Sequence, residues 1–430
     1  MNWKKKKLNE FCEFNNGLWT GKKPPFQKVG VIRNTNFTKD CILDDSDIVS
    51  LEVEQSQFQK RKLQYGDIIL EKSGGGPKQP VGRVVIFDKN DGDFSFSNFT
   101  SVIRIKNKNE VDFNFLHRYL FLEYISGATE KMQSHSTGIR NLKFDEYKEI
   151  EIPLPSLPEQ QRIVSLLDET FTAIDKALAN AQQNLKNAKE LFESYLQFNF
   201  SSKVHGDKFD SLDSLCELIV DCEHKTAPNQ DKGYPSIRTP NIGKGDLILD
   251  NVNRVSYETY LNWTRRAVPQ AGDLILAREA PAGNIAVIPE NLEVCLGQRT
   301  VLLRPKIDKL IPRYLAYLIL SKDVQEILLS HSTGATVQHI NMKDIRAFKI
   351  YDLSDLKEQI TVVNKLDALR EETQKLERIY QQKIADLEEM KKSILQKAFA
   401  GELNTEKSRR DDTIIKKDDH TQKQNPERVI

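Results

Sequence analysis

Between Leu167 and Tyr195 the apolar residues advance in alternating steps of four and three: Leu167, Phe171, Ile174, Leu178, Ala181, Leu185, Ala188, Phe192, Tyr195. This is a seam of period 3.5, the pattern of a helix packed against a partner along its whole length. A second run keeps the period through Leu366, Leu369, Thr373, Leu376, Tyr380, Leu387, Met390 and Ile394, with Lys383 out of pattern. Each predicts a helix of about 40 residues, ~60 Å long at 1.5 Å per residue. Neither can bury its stripe alone, so each is the natural partner of the other.

Elsewhere the pattern changes. Short β-rich runs at 67–70, 83–87, 101–105, 274–276 and 300–304 are separated by Gly, Pro and Asn turns, and helices are expected over 113–124 and 312–329. The resulting fold class is α+β: two mixed, mainly β globules (1–152 and 205–352), each followed by a long helix (153–204 and 353–403). The polar tail 404–430 has too little apolar content to fold.

The two halves are copies. Glu159-Gln160 returns 199 residues later as Glu358-Gln359, Ile163-Val164 as Val362-Val363, and "SYLQFNF" from Ser194 as "SILQKAF" from Ser393. Upstream, "IRNTNF" at Ile32 answers "IRTPNI" at Ile237, "GDIIL" at Gly66 answers "GDLIL" at Gly272, and "HSTG" occurs at His135 and again at His331. The long helices are also entered alike. Proline is tolerated in a first helical turn and excluded from the interior, so the prolines at 153, 155 and 158 mark where the first helix starts. In the second copy Ser354 or Asp355 is the expected N-cap, with Glu358 three or four residues on. The purpose of the double entrance is to attach two globules to two helices at fixed angles.

Composition narrows the class. With 430 residues the chain exceeds one ordinary core, and 29% charged residues suit long exposed helices. The four lysines at 4–7 imitate a signal peptide, but Asn9, Glu10 and Glu13 interrupt any apolar core after them. No apolar run approaches the ~18 residues of a membrane span. Five cysteines without C-x-x-C spacing suit reduced thiols, and a cytoplasmic location is expected. Cys216, Cys222 and His224 match no zinc spacing. A balance of 63 basic against 62 acidic residues lacks the excess usual in a protein that binds nucleic acid alone.

Motifs for catalysis are incomplete. The glycine-rich stretch Lys72–Arg83 has no Gly-Lys-Ser/Thr for a phosphate loop. Lys23 ahead of Pro24-Pro25-Phe26 can only donate, whereas an amino-methyltransferase needs an acceptor there. His135/Ser136 and His331/Ser332 are adjacent pairs without a third group to orient the histidine, and a loop role with Gly138 and Gly334 at the turns fits them better. No catalytic or metal-ligating residue is assigned.

The stretch Ile152-Pro153-Leu154-Pro155-Ser156-Leu157-Pro158-Glu159-Gln160 with Ile163-Val164, its second copy around 356–363, the paired Gly-Asp-Ile/Leu-Ile-Leu and "LQKAFAGEL" at 395–403 closely resemble the specificity subunit of type I restriction–modification systems over nearly the whole chain to residue 403. The resemblance implies two target recognition domains, each reading one half of a split double-stranded DNA site. It further implies an antiparallel helix pair that spaces them and docks two methyltransferase subunits, with restriction subunits where present. S-adenosylmethionine, ATP and Mg are then expected on the partner subunits and no cofactor on this chain. Partner subunits would also supply the phosphate contacts that a chain of net charge +1 lacks. The sequence departs from the pattern at Tyr351-Asp352-Leu353, where the first copy has Pro-Leu-Pro, and at Phe198-Asn199, where the second has Lys-Ala.

Because Arg suits guanine and Asn or Gln suits adenine, the candidates for base contact are Asn34, Asn36, Lys78, Gln79 and Arg140 in the first globule and Arg238, Asn241, Arg278, Gln298 and Arg299 in the second. A surface side chain or a strand-end hydrogen bond accounts for each equally well. Apolar residues off the seam, Ile163, Leu191, Leu196 and Ile384, are candidates to seat other subunits. Two rival classes stand beside this reading: a methyltransferase or nuclease with an unrecognised site, and a coiled-coil scaffold without a DNA role.

Overall fold

The computed structural model describes residues 3–18, 20–76, 79–134, 139–330 and 339–403. Lys78, both His-Ser-Thr-Gly stretches and the tail from 404 lie outside the described residues. The chain divides into two compact units, Met1–Asn180 with the chain from Lys383 onward, and Ala181–Gln382. Each unit takes one globule and half of each long helix.

In the first unit an antiparallel four-stranded sheet runs in the order Cys12–Asn16, Thr100–Ile105, Ile68–Glu71, Val84–Ile86. Ile68, Ile69 and Leu70 are fully buried on both faces of it, which is why this strand reads as unbroken apolar sequence rather than as alternation. A three-stranded sheet is formed by Val49–Glu54, Phe26–Ile32 and Phe94–Phe96, and another by Gln133–Ser134, Arg140–Leu142 and Ser73–Gly75. Lys4–Lys7 pairs antiparallel with Glu151–Leu154, closing the globule at the point where the long helix leaves it.

The second unit repeats the plan. Its four-stranded sheet is Cys216–Asp221, Thr300–Pro305, Leu274–Ala277, Ile285–Val287, its three-stranded sheet is Arg254–Val255, Tyr234–Ile237, Cys295–Leu296, and Phe209–Ser211 pairs with Lys349–Tyr351. The Gly-Asp motif has the same task in both. Gly66 and Gly272 each sit at φ +86°, a left-handed position that suits glycine. The following Asp67 and Asp273 each grip an arginine of the next strand, Arg104 at 2.6 Å and Arg304 at 2.7 Å.

The expected strands and the helix Phe113–Ile125 are present. The helix expected over 312–329 is instead two, Pro312–Leu320 and Lys322–Ser330. Ser321 is extended (φ −68°, ψ 148°) and its hydroxyl donates to the Leu318 carbonyl, so the side chain takes up a helical acceptor and the chain turns.

The long helices are Leu157–Phe200 and Leu356–Phe399, 44 residues each. Pro158 lies in the first turn, and Asp355 caps the second helix by accepting from the Glu358 amide at 2.8 Å. In the first unit the start of the first helix (Leu167, Phe171, Ile174) shares a core with the end of the second (Leu395, Ala398, Phe399). In the second unit the end of the first (Leu196, Phe200) shares a core with the start of the second (Val363, Leu366). Both pairings are antiparallel. The seam departs from the expected one in the second helix, in its middle and towards its end: Leu376 is 37% and Met390 49% exposed, while Lys391, Leu395 and Ala398 are buried. A 3.5-residue repeat drifts against a straight 3.6-residue helix, so the buried stripe moves one position over. Lys391 is tolerated there because its ammonium lies 2.9 Å from Asp175 and over the Phe171 ring.

The duplicated Glu-Gln is an attachment device. Gln160 accepts from the Asp112 amide and donates to the carbonyls of Glu110 and Pro155; Gln359 accepts from Ile311 and donates to Lys309 and Ser354, all at 2.8–3.0 Å. Every one of those partners recurs 199 residues on. So does the edge-to-face contact of the last helical phenylalanine, Phe399 on Phe115 at 5.1 Å and Phe200 on Tyr314 at 5.0 Å.

Candidate nucleic-acid interface

The candidates separate by what their donors already hold. Asn36 is 2% exposed; its oxygen accepts from the Arg33 amide and its nitrogen donates to the Asp47 carbonyl. Asn241 repeats this with Arg238 and Ile248. These amides close the short 3-10 turns Asn34–Asn36 and Thr239–Asn241. Asn34 leans on Glu71, and the exposed Gln79 faces the Arg83 guanidinium. Arg140 is paired to Glu130 at 3.0 Å with its side chain 14% exposed.

Arg278 is buried and spends all three nitrogens internally: Nε on the Ile340 carbonyl, Nη1 on Asp221 at 2.6 Å, Nη2 on His339 Nε2 at 2.8 Å. Arginine only donates, so His339 Nε2 is the acceptor and its proton sits on Nδ1, which faces Glu279 at 3.2 Å. Glu279 in turn holds Arg299 Nε at 2.9 Å. Asp221, Arg278, His339, Glu279 and Arg299 thus form one chain from the sheet edge to solvent. In the first unit the matching place is occupied by Lys72 donating to Asn16 at 2.8 Å, and burial with Lys148 nearby lowers the Lys72 pKa.

Arg238 and Gln298 border one cleft with Thr226, Asn229 and Asn253, and Arg238 and Arg299 are exposed. The structure therefore brings Arg238, Gln298 and Arg299 to an accessible face of the second globule and turns Asn36, Asn241 and Arg278 inward.

Sequence reasoning passed over Asp221, Glu279 and His339, which hold Arg299, and Asn98 and Phe99, which occupy the matching turn of the first globule. The available signal was alignment of "SNFT" at Ser97 with "GQRT" at Gly297, whose threonines head equivalent strands.

No group of three or more His, Cys, Asp or Glu residues able to hold a metal occurs among the described residues. The cysteines are buried, and burial pushes the thiols of Cys12, Cys41 and Cys216 up to about 12. No helix among the described residues is long and apolar enough to cross a membrane.

A family model for the type I restriction modification DNA specificity domain matches residues 1–186 and again 208–387. The chain belongs to that family. It is 25% identical over 415 residues to the EcoKI specificity subunit of Escherichia coli K12, covering 89% of this chain and 83% of that one. It is 22% identical to the EcoBI specificity subunit of Escherichia coli over 347 residues, 74% and 73% of the two chains. Among solved structures, a chain from work on complex assembly and conformational transition of the type I R-M system aligns with a TM-score of 0.73 at 20% identity, covering 94% of this chain and 98% of that one. The HsdS subunit of Thermoanaerobacter tengcongensis aligns at 0.55 and 20%, covering 94% and 97%. These likenesses establish the fold. The two matched segments of this specificity-domain protein coincide with the two globules and most of each following helix.

Proposed function

We propose that this chain is the non-catalytic DNA-recognition subunit of a type I restriction–modification complex, each globule reading one half of a bipartite site. The observation that carries the reading is a scaffold whose glutamine clamp and Gly-Asp turn recur with matching bonds in both copies while different side chains stand at equivalent turns. Such a pair of frames suits two different half-sites. The paired helices set the spacing between half-sites and dock two methyltransferase subunits, which bind S-adenosylmethionine; restriction subunits, where present, use ATP and Mg. Docking is supported by the exposed Leu191 and by a groove of about 700 Å³ lined by Phe192, Leu320 and the exposed Phe198. Ile163 and Leu196, in contrast, are already consumed in cores.

Mapping methylated adenines in the host genome with and without this gene tests the reading. Loss of methylation at one split motif is expected. Exchange of residues 212–350 for the matching domain of a relative is expected to alter one half-site only. Unchanged methylation on deletion would refute the proposal, and S-adenosylmethionine binding or nuclease activity by the isolated chain would favour the enzyme reading instead.

A further inference from the structure

The turns that enter the strands Thr100–Ile105 and Thr300–Pro305 are built alike. Thr100 and Thr300 are fully buried, and their hydroxyls donate to the carbonyls of Ser97 and Gly297, both at 2.8 Å. The amides of Ser97 and Gly297 reach the carbonyls of Ile32 and Ile237 at 2.9 and 2.7 Å. The carbonyl of the residue before each threonine accepts from the end of the neighbouring strand: Phe99 from Lys72 at 3.0 Å, Arg299 from Arg278 at 2.9 Å. These three bonds are matched between the copies; the Arg299 amide, which reaches Cys222 Sγ at 3.2 Å, has no counterpart at Phe99 among the described residues. Two things differ at the residue before the threonine: its backbone, left-handed at Arg299 and not at Phe99, and the side chain held out to solvent, a phenylalanine 44% exposed in one copy and an arginine with a 63% exposed side chain in the other.

Neither is placed at random. An exposed phenylalanine on a hydrogen-bonded turn gains little from burial and is held apart from the core beneath it. Arg299 sits at φ +67°, unusual for a residue other than glycine. Its Nε is fixed to Glu279, which is held through His339 and Arg278 to Asp221. The two Nη groups have no partner among the described residues. A guanidinium ion-paired through one nitrogen, with no hydrogen-bond partner for its fork among the described residues, can offer that fork to a bidentate acceptor pair.

We propose that this turn position, Phe99 in the first globule and Arg299 in the second, is a specificity-determining contact, Arg299 reading guanine through N7 and O6 and Phe99 packing on the methyl group of thymine. The assignment rests on the DNA-recognition reading above. It follows from the general match of side chains to major-groove edges and from the buried threonine and its matched bonds, which place in both copies an exposed side chain of a different class at the same point before the strand. Asp221, Arg278, His339 and Glu279 are then positioning residues that act through Arg299.

The test replaces the native gene by full-length variants and maps methylated adenines. Arg299→Asn, which tolerates the left-handed backbone, is expected to lower discrimination at one base pair of one half-site by roughly tenfold or more and to leave the other half-site intact. Phe99→Ala is expected to relax one base pair of the other half-site. Glu279→Gln, which keeps Arg299 but loosens its anchor, is expected to weaken discrimination at the same base pair as Arg299→Asn. Should Arg299→Asn fail to fold, as judged by thermal melting, Arg299→Gly, which also accepts the left-handed backbone and removes every donor, carries the same expectation. Variants that methylate the wild-type motif unchanged, or that lose all sites in equal proportion while folded, would overturn this assignment and leave the recognition reading standing. A wild-type chain that directs no sequence-specific methylation would overturn both.

Discussion

The glutamine clamp makes a quantitative prediction. Gln160 and Gln359 are fully buried, and each amide satisfies one backbone N–H and two backbone carbonyls that join the start of a long helix to the segment just before a globule helix. Replacing either by alanine deletes three hydrogen bonds and leaves three backbone groups without partners. At about 1 kcal/mol net for each bond the expected cost is ~3 kcal/mol, which corresponds to roughly a hundredfold increase in local opening. Glutamate is not a conservative choice. It keeps the acceptor for Asp112 or Ile311 but turns a charged oxygen towards two carbonyls, so its defect is expected to be largest at neutral pH and to shrink on acidification as the buried acid is protonated.

Native-state hydrogen exchange reads this directly, because the amides of Asp112 and Ile311 are among the clamped groups. Gln160→Ala is expected to speed exchange in peptides covering 107–116 and to leave 306–315 unchanged, and Gln359→Ala the reverse. The double variant is expected to show both effects without coupling, since the clamps lie in different units. A change of less than tenfold at the clamped amide, or faster exchange in the opposite copy, would refute the view that these glutamines hold helix to globule.

His117 donates from Nε2 to the carbonyls of Cys41 and Val84, and burial, then Arg118, lowers its pKa to about 4. The neutral ring's stability is therefore full above about pH 6.5 and is lost as pH falls towards 4, by ~3 kcal/mol in all; urea midpoints of wild type and His117→Gln that stay parallel across that range would contradict it. Glu71 and Arg83 form a buried pair at 2.8 Å where the second unit has Ala277 and Asn284. Glu71→Ala alone is expected to cost about 3–5 kcal/mol, and the double change Glu71→Ala/Arg83→Asn much less, in denaturant melts; additive losses would count against this. On the proposed reading, seven residues added to both long helices, after Leu178 and after Leu376, lengthen the pair by ~10 Å and are expected to shift the preferred spacer by about three base pairs in a library of random spacers; preference for the original spacer by an active protein would show that helix length does not set the distance.

The duplication, the strand runs, the heptad seam and the helix entrances were legible because each is a period or a spacing, and periods follow directly from backbone geometry. The break at Ser321 was not, since a serine inside an apolar run competes for a helical carbonyl only when its hydroxyl turns inward. The drift at the helix ends was hidden for a related reason: Lys391 looks like a surface residue until Asp175 and Phe171 are seen to receive it.

The candidate site shows the same division more sharply. Asn36, Asn241, Arg278 and Arg299 are of the types that read bases, and nothing in residue type distinguishes a side chain whose donors are spent on its own backbone from one whose donors are free. Repetition supplies that distinction. Where both copies keep the same residue and the same bonds, as at Asn36 and Asn241 or at Thr100 and Thr300, selection has held a scaffold that two different half-sites can share. Where the anchoring bonds of the threonine persist and the residue before it changes class, as from Phe99 to Arg299, the strand entry has been kept and the outward group exchanged together with its local backbone angle. A contact to sequence must differ between two readers of different sequences, while the frame beneath it need not, so a tandem chain carries its own comparison for telling one from the other.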